Sequence, residues 1–179
     1  MTEFFHIPAE LLKEAEQAGQ FRLVVPDNAK PDRNGTGFRW TECCDITSLD
    51  SVADEKDEDK RVYFEISVRF NPEGSHAGNI GKPVTRRFYI NEGVTSGKYT
   101  DPNHGQVKMT ERSLRVLVSF CKALGIMHNP SGWSVEWQKE VFGVGSSLVG
   151  QKVWVAIYQH PNFKDDSRNE IEFERFLPY

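Results

Sequence analysis

Arg61–Phe70, RVYFEISVRF, is the stretch that decides the fold. Val62, Phe64, Ile66, Val68 and Phe70 are apolar at every second position, and Tyr63, Glu65, Ser67 and Arg69 fall between them. Successive side chains of a strand point to opposite faces. Five apolar positions at period two therefore predict a half-buried antiparallel strand with one dry and one wet face. Residues 71–83, NPEGSHAGNIGKP, are dense in Gly, Pro and Asn and read as a loop. A second strand is expected over Val84–Asn91, carrying Arg86, Arg87, Phe88, Tyr89 and Ile90. Upstream, Phe38–Ile46 alternates as well, with Phe38, Trp40 and Ile46 on one face and Arg39, Thr41 and Asp45 on the other. Glu42 falls on the apolar face, which predicts a bulge or an edge position there. The intervening Asp50–Asp59 holds six acids and one base and reads as a solvated loop.

Moving outward, Pro8–Ala18 reads as a short helix with Leu11, Leu12 and Ala15 at helical spacing and Gly19 as its stop. Phe21–Val25 reads as a short strand, and Pro26–Gly37 carries turn residues. Residues 92–109 read as a polar connection. The best helix follows, with Thr110 as N-cap and Gly125 just past its end. Leu114, Leu117, Cys121 and Leu124 form its apolar stripe, and Arg112, Arg115, Ser119 and Lys122 form a second, polar one. Gly132–Phe142 is expected as a short helix or irregular turn with Trp133 and Trp137. Gln151–His160 is a further strand, with Val153, Val155 and Ile157 on one face. Pro161–Arg168 is a polar loop, and Asn169–Leu177 is the last strand, with Ile171, Phe173 and Leu177 facing inward. Phe64, Ile66, Val68, Phe88, Val155, Ile157, Ile171 and Phe173 are expected in one core.

The order β-β-β-α-β-β predicts a mainly β protein. It suits an OB-fold-like antiparallel five-stranded barrel with a helix between strands three and four. Closure of such a barrel also removes exposed sheet edges. Residues 1–36 are expected to form an N-terminal helix/strand extension packing on the barrel, and 37–179 the barrel domain.

The chain has 179 residues and 20.5 kDa, the size of one ordinary domain. An aromatic content of 12% argues against a disordered chain. No apolar run approaches the ~18–20 residues of a membrane span, so no membrane partner is expected. The opening MTEFFHIPAE has an early acid and no basic region, unlike a secretory signal. Three cysteines, two of them adjacent, do not make a disulfide framework and suit buried thiols in a reducing cytoplasm. The net charge of −4 rules out a uniformly basic nucleic-acid binder but not one with segregated charge. Lys82–Lys122 holds eight Lys or Arg against three Asp or Glu, so the charge is strongly asymmetric along the chain.

Catalytic signatures are not found. His6, His76, His104, His128 and His160 share no metal-ligand spacing with the cysteines. Gly93–Tyr99 resembles a phosphate loop but has one residue too few between its glycines, and Tyr99 where the hydroxyl for magnesium belongs. Gly143-Val-Gly-Ser-Ser lacks the nucleophile-elbow spacing. Asp165 and Asp166 read as solvated acids. No cofactor and no enzymatic activity are expected.

A binding surface remains. In an OB-fold the ligand lies across strands two and three, whose outward positions here are Tyr63, Ser67, Arg69, Arg87 and Tyr89. Single-stranded nucleic acid needs such a mixture of aromatic faces for bases and cations for phosphates. The flanking loops add Lys82, Phe163, Lys164 and Arg168. The plainer reading of the same residues is a Tyr63–Tyr89 cross-strand pair on a solvated face. The basic stripe Arg112, Arg115 and Lys122 reads first as a solvated helix face.

With these residues quoted, the chain resembles the phage and prophage single-stranded DNA-binding proteins of OB-fold type. The resemblance covers about residues 37–178. It rests on Val62–Phe70, on Arg112–Gly125, and above all on Leu148-Val-Gly-Gln-Lys-Val-Trp-Val155 and Asn169-Glu-Ile-Glu-Phe173 with Phe176-Leu-Pro178. It implies a non-catalytic protein of the host bacterial cytoplasm that protects or presents single-stranded DNA in replication or recombination. The implied partners are single-stranded DNA, with RNA left open, and replication or recombination proteins or a second copy of the chain. Glu172–Tyr179 reads as a strand and not as the flexible acidic tail with which many such proteins recruit partners. The alternative reading is a protein-interaction β-barrel, a phage accessory or structural domain without nucleic-acid binding. A third, a nuclease using Asp165, Asp166 and Glu170, would show magnesium-dependent cleavage.

Overall fold

The alternating stretches pair into one antiparallel sheet. The computed structural model describes residues 23–33, 37–53, 62–89, 98–101, 105–126, 135–159 and 171–179. The strands of the main sheet are β1 (Lys30–Pro31), β2 (Phe38–Ala53), β3 (Val62–Phe70), β4 (Pro83–Tyr89), β7 (Lys152–Gln159) and β8 (Ile171–Pro178). Their order is β4-β3-β2-β7-β8, with β1 beside the start of β2. The sheet curls into a half-barrel. A separate hairpin pairs β5 (Lys98–Asp101) with β6 (Gly105–Lys108). Two helices follow, α1 (Met109–Ala123) and α2 (Val135–Val141).

β2 serves both halves of the sheet. Phe38–Asp45 pairs with β7, and Cys44–Ala53 pairs with β3. Ile46 faces Val68 while Ser48 faces Ser67, so Thr47 is an extra residue in the strand. Such a bulge bends a strand and shifts its alternation by one. Ile46 and Leu49 are consequently both buried although they are three positions apart, an odd spacing that regular alternation would put on opposite faces. The expected inward face of β3 holds: Phe64, Ile66, Val68 and Phe70 are all buried. They join Phe88, Val155, Ile157, Ile171 and Phe173 in one core, as the alternation predicts.

The core is capped by the helices. Val116, Leu117 and Phe120 of α1 are buried, and Phe120 meets Phe176 edge-on at 5.0 Å. Phe142, just beyond α2, lies 4.7 Å from Phe64. The Ser119 hydroxyl accepts from the Phe176 N–H at 2.9 Å and donates to the Val116 carbonyl at 2.6 Å, pinning α1 to β8. Gly125 ends the helix as expected. Its φ is +68°, the Ile126 N–H reaches the Cys121 carbonyl at 2.9 Å, and the Gly125 N–H reaches Lys122 O at 3.2 Å. This pair of bonds satisfies carbonyls that the helix end would otherwise leave bare.

Several local expectations are corrected. Leu23–Val25 is not a strand; the Val24 N–H and carbonyl bond to the Asn79 side chain at 2.7 and 2.9 Å. The segment expected as a solvated acidic loop begins later, because Asp50–Ala53 continue β2 against β3. The 92–109 connection contains the β5–β6 hairpin, and α1 starts at Met109, so Thr110 lies inside its first turn. Leu114 is 42% exposed: the buried stripe turns toward Val116 and Phe120 instead. On β8, Phe176 and not Leu177 fills the inner position. Ala156 faces Arg175 while Ile157 faces Phe173, so Glu174 is an extra residue that reverses the alternation. Closure of the barrel is not made by a β4–β8 ladder among the described residues. The Arg86 Nε–H donates to the Ile171 carbonyl at 2.8 Å across that gap, and α1 packs against both strands. The helix expected over Pro8–Ala18 and the loop Pro161–Arg168 lie outside the described residues.

No bulge falls at Glu42. There, among the described residues, β2 pairs with β7 alone, past the end of the β1 ladder and before the start of the β3 ladder, so it is locally an edge position covered by the 71–82 loop. It is fully buried, and its carboxyl is met by N–H groups from Trp40, Asn79 and the His76 backbone. Oε1 accepts from Trp40 Nε1 at 3.0 Å and Asn79 Nδ2 at 2.7 Å and lies 3.1 Å from His76 Nδ1. Oε2 accepts from the His76 backbone N–H at 2.8 Å. Buried polar atoms need such partners. This carboxyl thereby anchors the 71–82 loop and, through Asn79, the segment at Val24.

Candidate nucleic-acid interface

The outer face of β3 and β4 follows from the register. Tyr63 lies beside Tyr89, Glu65 beside Arg87, Ser67 beside Thr85 and Arg69 beside Pro83. β2 extends the same rows with Asp50 beside Glu65, Ser48 beside Ser67 and Asp45 beside Arg69. Directly paired residues share a face, so these side chains form one surface.

Its centre is a cluster of three. The Tyr63 and Tyr89 rings meet edge-on, 5.4 Å apart at 62°. The Arg87 guanidinium lies 4.6 Å from the Tyr63 centroid. Arg87 Nε also donates to Glu65 Oε2 at 2.8 Å. That hydrogen bond is the main reason the guanidinium is held above its ordinary pKa. Tyr63 was expected to stand outward in solvent, but with Arg87 across it only 8% of it is exposed. Tyr89 is half-buried, and Arg87 and Arg69 are exposed. Farther along, the Ser67 and Thr85 hydroxyls bond to each other at 2.8 Å, and Asn71 Nδ2 holds both Asp45 oxygens at 2.9 and 2.8 Å. Acids and bases alternate across this face; it is not a uniform basic patch.

The other expected residues are distributed differently. The Phe70 N–H bonds to the Lys82 carbonyl at 3.1 Å, so Lys82 lies opposite an inward residue and not in the Arg69 row. Burial lowers its pKa, and Glu42 partly offsets this. Phe163, Lys164 and Arg168 lie outside the described residues. On α1, Arg112 is ion-paired with Glu172 of β8 and Arg115 with Glu111 at 3.0 Å, so two cations of the helix stripe have partners within the chain.

A second cluster ties Asp32, just after β1, to β8 across β2 and β7. Arg39 Nε donates to Glu174 at 3.0 Å and its guanidinium covers the Tyr158 ring at 4.8 Å. The Tyr158 hydroxyl donates to Asp32 at 3.0 Å. Burial, then Asp32, pushes Tyr158 up to about 12. A Cβ on Gly37 would sit 2.4 Å from the Tyr158 oxygen, so the ring packs flush on that glycine. These contacts hold strands together, while Arg39 Nη2 is buried without a hydrogen-bond partner of its own.

Cys43, Cys44 and Cys121 are buried and free, as the sequence predicts. Burial raises all three thiols, Cys121 to about 11, which suppresses the reactive thiolate. Among the described residues no group of three or more His, Cys, Asp or Glu side chains could hold a metal ion. Asp165, Asp166 and Glu170 lie outside the described residues. The residue that sequence reasoning missed is Glu65, read only as a polar filler between apolar positions. Its register opposite Arg87 could have been inferred by pairing the two alternating strands through the loop 71–83. Comparison with protein-family models finds no match, and none is found among curated proteins.

Proposed function

We propose that this is a non-catalytic, OB-fold single-stranded DNA-binding protein. Its phage type and its role in replication or recombination rest on the C-terminal resemblance. The observation that carries the reading is the Tyr63–Tyr89–Arg87 cluster on the outer face of β3–β4. An aromatic pair with a guanidinium beside it offers what an unstacked base and its phosphate require. The strand order β4-β3-β2-β7-β8, with a long bent β2 shared by both halves and α1 between β4 and β7, supports the OB plan. In that plan the β3–β4 face is the usual oligonucleotide surface. Among the described residues no helix is long and apolar enough to cross a membrane.

The test is a titration of the full chain against labelled poly-dT and poly-U at several salt concentrations, with and without magnesium. Contacts from Arg69, Arg87, Lys164 and Arg168 to four phosphates give a log–log salt slope of about −3, at ~0.7 per phosphate. Tyr89→Ala costs ~1–3 kcal/mol of affinity through lost stacking and leaves that slope nearly unchanged. Tighter binding of poly-U would assign RNA as the partner. Magnesium-dependent cleavage would replace the reading by the nuclease one. Absence of binding at low salt would transfer this surface to the protein-interaction reading.

A further inference from the structure

The β3–β4 face carries its own competitor for the ligand. Arg87 is the cation nearest the tyrosine pair, yet its Nε is bonded to Glu65 at 2.8 Å and its guanidinium lies across Tyr63 at 4.6 Å. One side chain thus neutralises the phosphate-binding charge and fixes the cation over the stacking ring. Asp50, next to Glu65 in the register and exposed, adds a second negative charge on the same side.

We propose that Glu65 sets the affinity of this face by holding Arg87 in a closed position, which an incoming phosphodiester opens by exchanging with the carboxylate. The inference rests on the reading of the face as a single-strand binding surface. The exchange is chemically even-handed: one oxyanion replaces another on the same guanidinium. It is also within reach, because the Arg87 side chain is 53% exposed and the Glu65 side chain 24%. Exposed ion pairs of this kind are weak, so the closed position delays the ligand without excluding it. Once Arg87 swings to a phosphate, the Tyr63 ring is uncovered beside Tyr89 and both can take bases.

Two consequences separate this role from a merely structural one. The first is affinity. Glu65→Gln keeps the side-chain shape and removes the charge, so binding tightens by about 1.5- to 5-fold, the range of an exposed ion pair. The second is ion release. In the parent chain the freed Glu65 takes up a cation as the phosphate gives one up, and the two partly cancel. In E65Q only the release remains, so the log–log salt slope steepens by up to ~0.7, the contribution of one phosphate contact. Arg87→Ala must then cost more affinity in the E65Q background than in the parent chain.

The experiment titrates dT oligonucleotides against the parent, E65Q, R87A and the double variant at four salt concentrations. A parallel E65T variant, which suits a strand position, checks that the effect follows charge and not amide chemistry, and thermal melts confirm folding. Tighter binding with a steeper slope in E65Q and E65T, together with a larger R87A effect in their background, is the expected result. A parent chain that binds dT while E65Q and E65T match it in affinity and slope overturns the proposal and leaves the binding reading intact. Absence of binding by every variant overturns both.

Discussion

Glu42→Gln is the most direct test of how the fold is held. The substitution preserves volume and removes one acceptor. The Oε1 position faces Trp40 Nε1 and Asn79 Nδ2, and the Oε2 position faces the His76 N–H. A Gln side chain loses least by keeping its oxygen at the first position, which turns its NH₂ toward the His76 N–H at 2.8 Å. One hydrogen bond is lost and two donors confront each other in a fully buried site, so the expected cost is ~1.5–3 kcal/mol. Glu42→Leu leaves all the donors without an acceptor and costs more, ~3–5 kcal/mol. Urea denaturation of the parent and both variants, followed by Trp fluorescence and circular dichroism, measures the difference. Limited proteolysis adds a local readout, since loss of the anchor frees residues 71–82 and the segment at Val24 before the sheet unfolds. A loss below ~0.5 kcal/mol for E42Q, the size of an ordinary surface change, would mean that these bonds do not hold the loop.

The remaining expectations are simpler. Ile66→Ala, at a fully buried centre of β3, costs ~2–5 kcal/mol in the same denaturation assay; a near-zero change would refute the inward assignment. Gly74→Ala brings a Cβ to 2.6 Å from both Cys43 Cβ and the Trp154 ring, and the overpacking costs ~1–3 kcal/mol; unchanged stability would show that the loop does not press on that ring. Tyr158 loses its proton in the unfolded chain near the ordinary tyrosine value of about 10, but in the folded chain it is pushed up to about 12. The folded state therefore holds more protons in that window, and stability falls as pH rises from 10 toward 12. Urea midpoints across that range record the fall, and Tyr158→Phe should flatten it; an equally steep fall in the variant would assign the effect elsewhere.

Much was legible where one physical rule dominates. The period-two pattern of Val62–Phe70 determined a strand with a dry face, because a sheet has only two sides and water covers one of them. The eight residues expected in the core follow from the same rule. Gly125 determined the end of α1, since a left-handed residue there is cheapest without a Cβ. The buried cysteines and the aromatic pair on β3 and β4 could also be read directly.

Other features were decided only by tertiary contact. The extra residues Thr47 and Glu174 reverse the alternation of β2 and β8, and whether a strand bulges depends on the partner it must follow. Phe176 rather than Leu177 is inside for that reason. Glu42 looked misplaced on an apolar face until the loop 71–82, more than thirty residues later, delivered the Asn79 amide and the His76 backbone N–H to it alongside Trp40. Arg112 looked solvated until β8 brought Glu172 to it. Arg87 looked like a free cation until the register set Glu65 against it. The alternation of a single strand determines which face a side chain occupies. Only the neighbouring strands, loops and helices determine which charge it meets there, because an ion pair is made between segments and neither segment encodes the other's position.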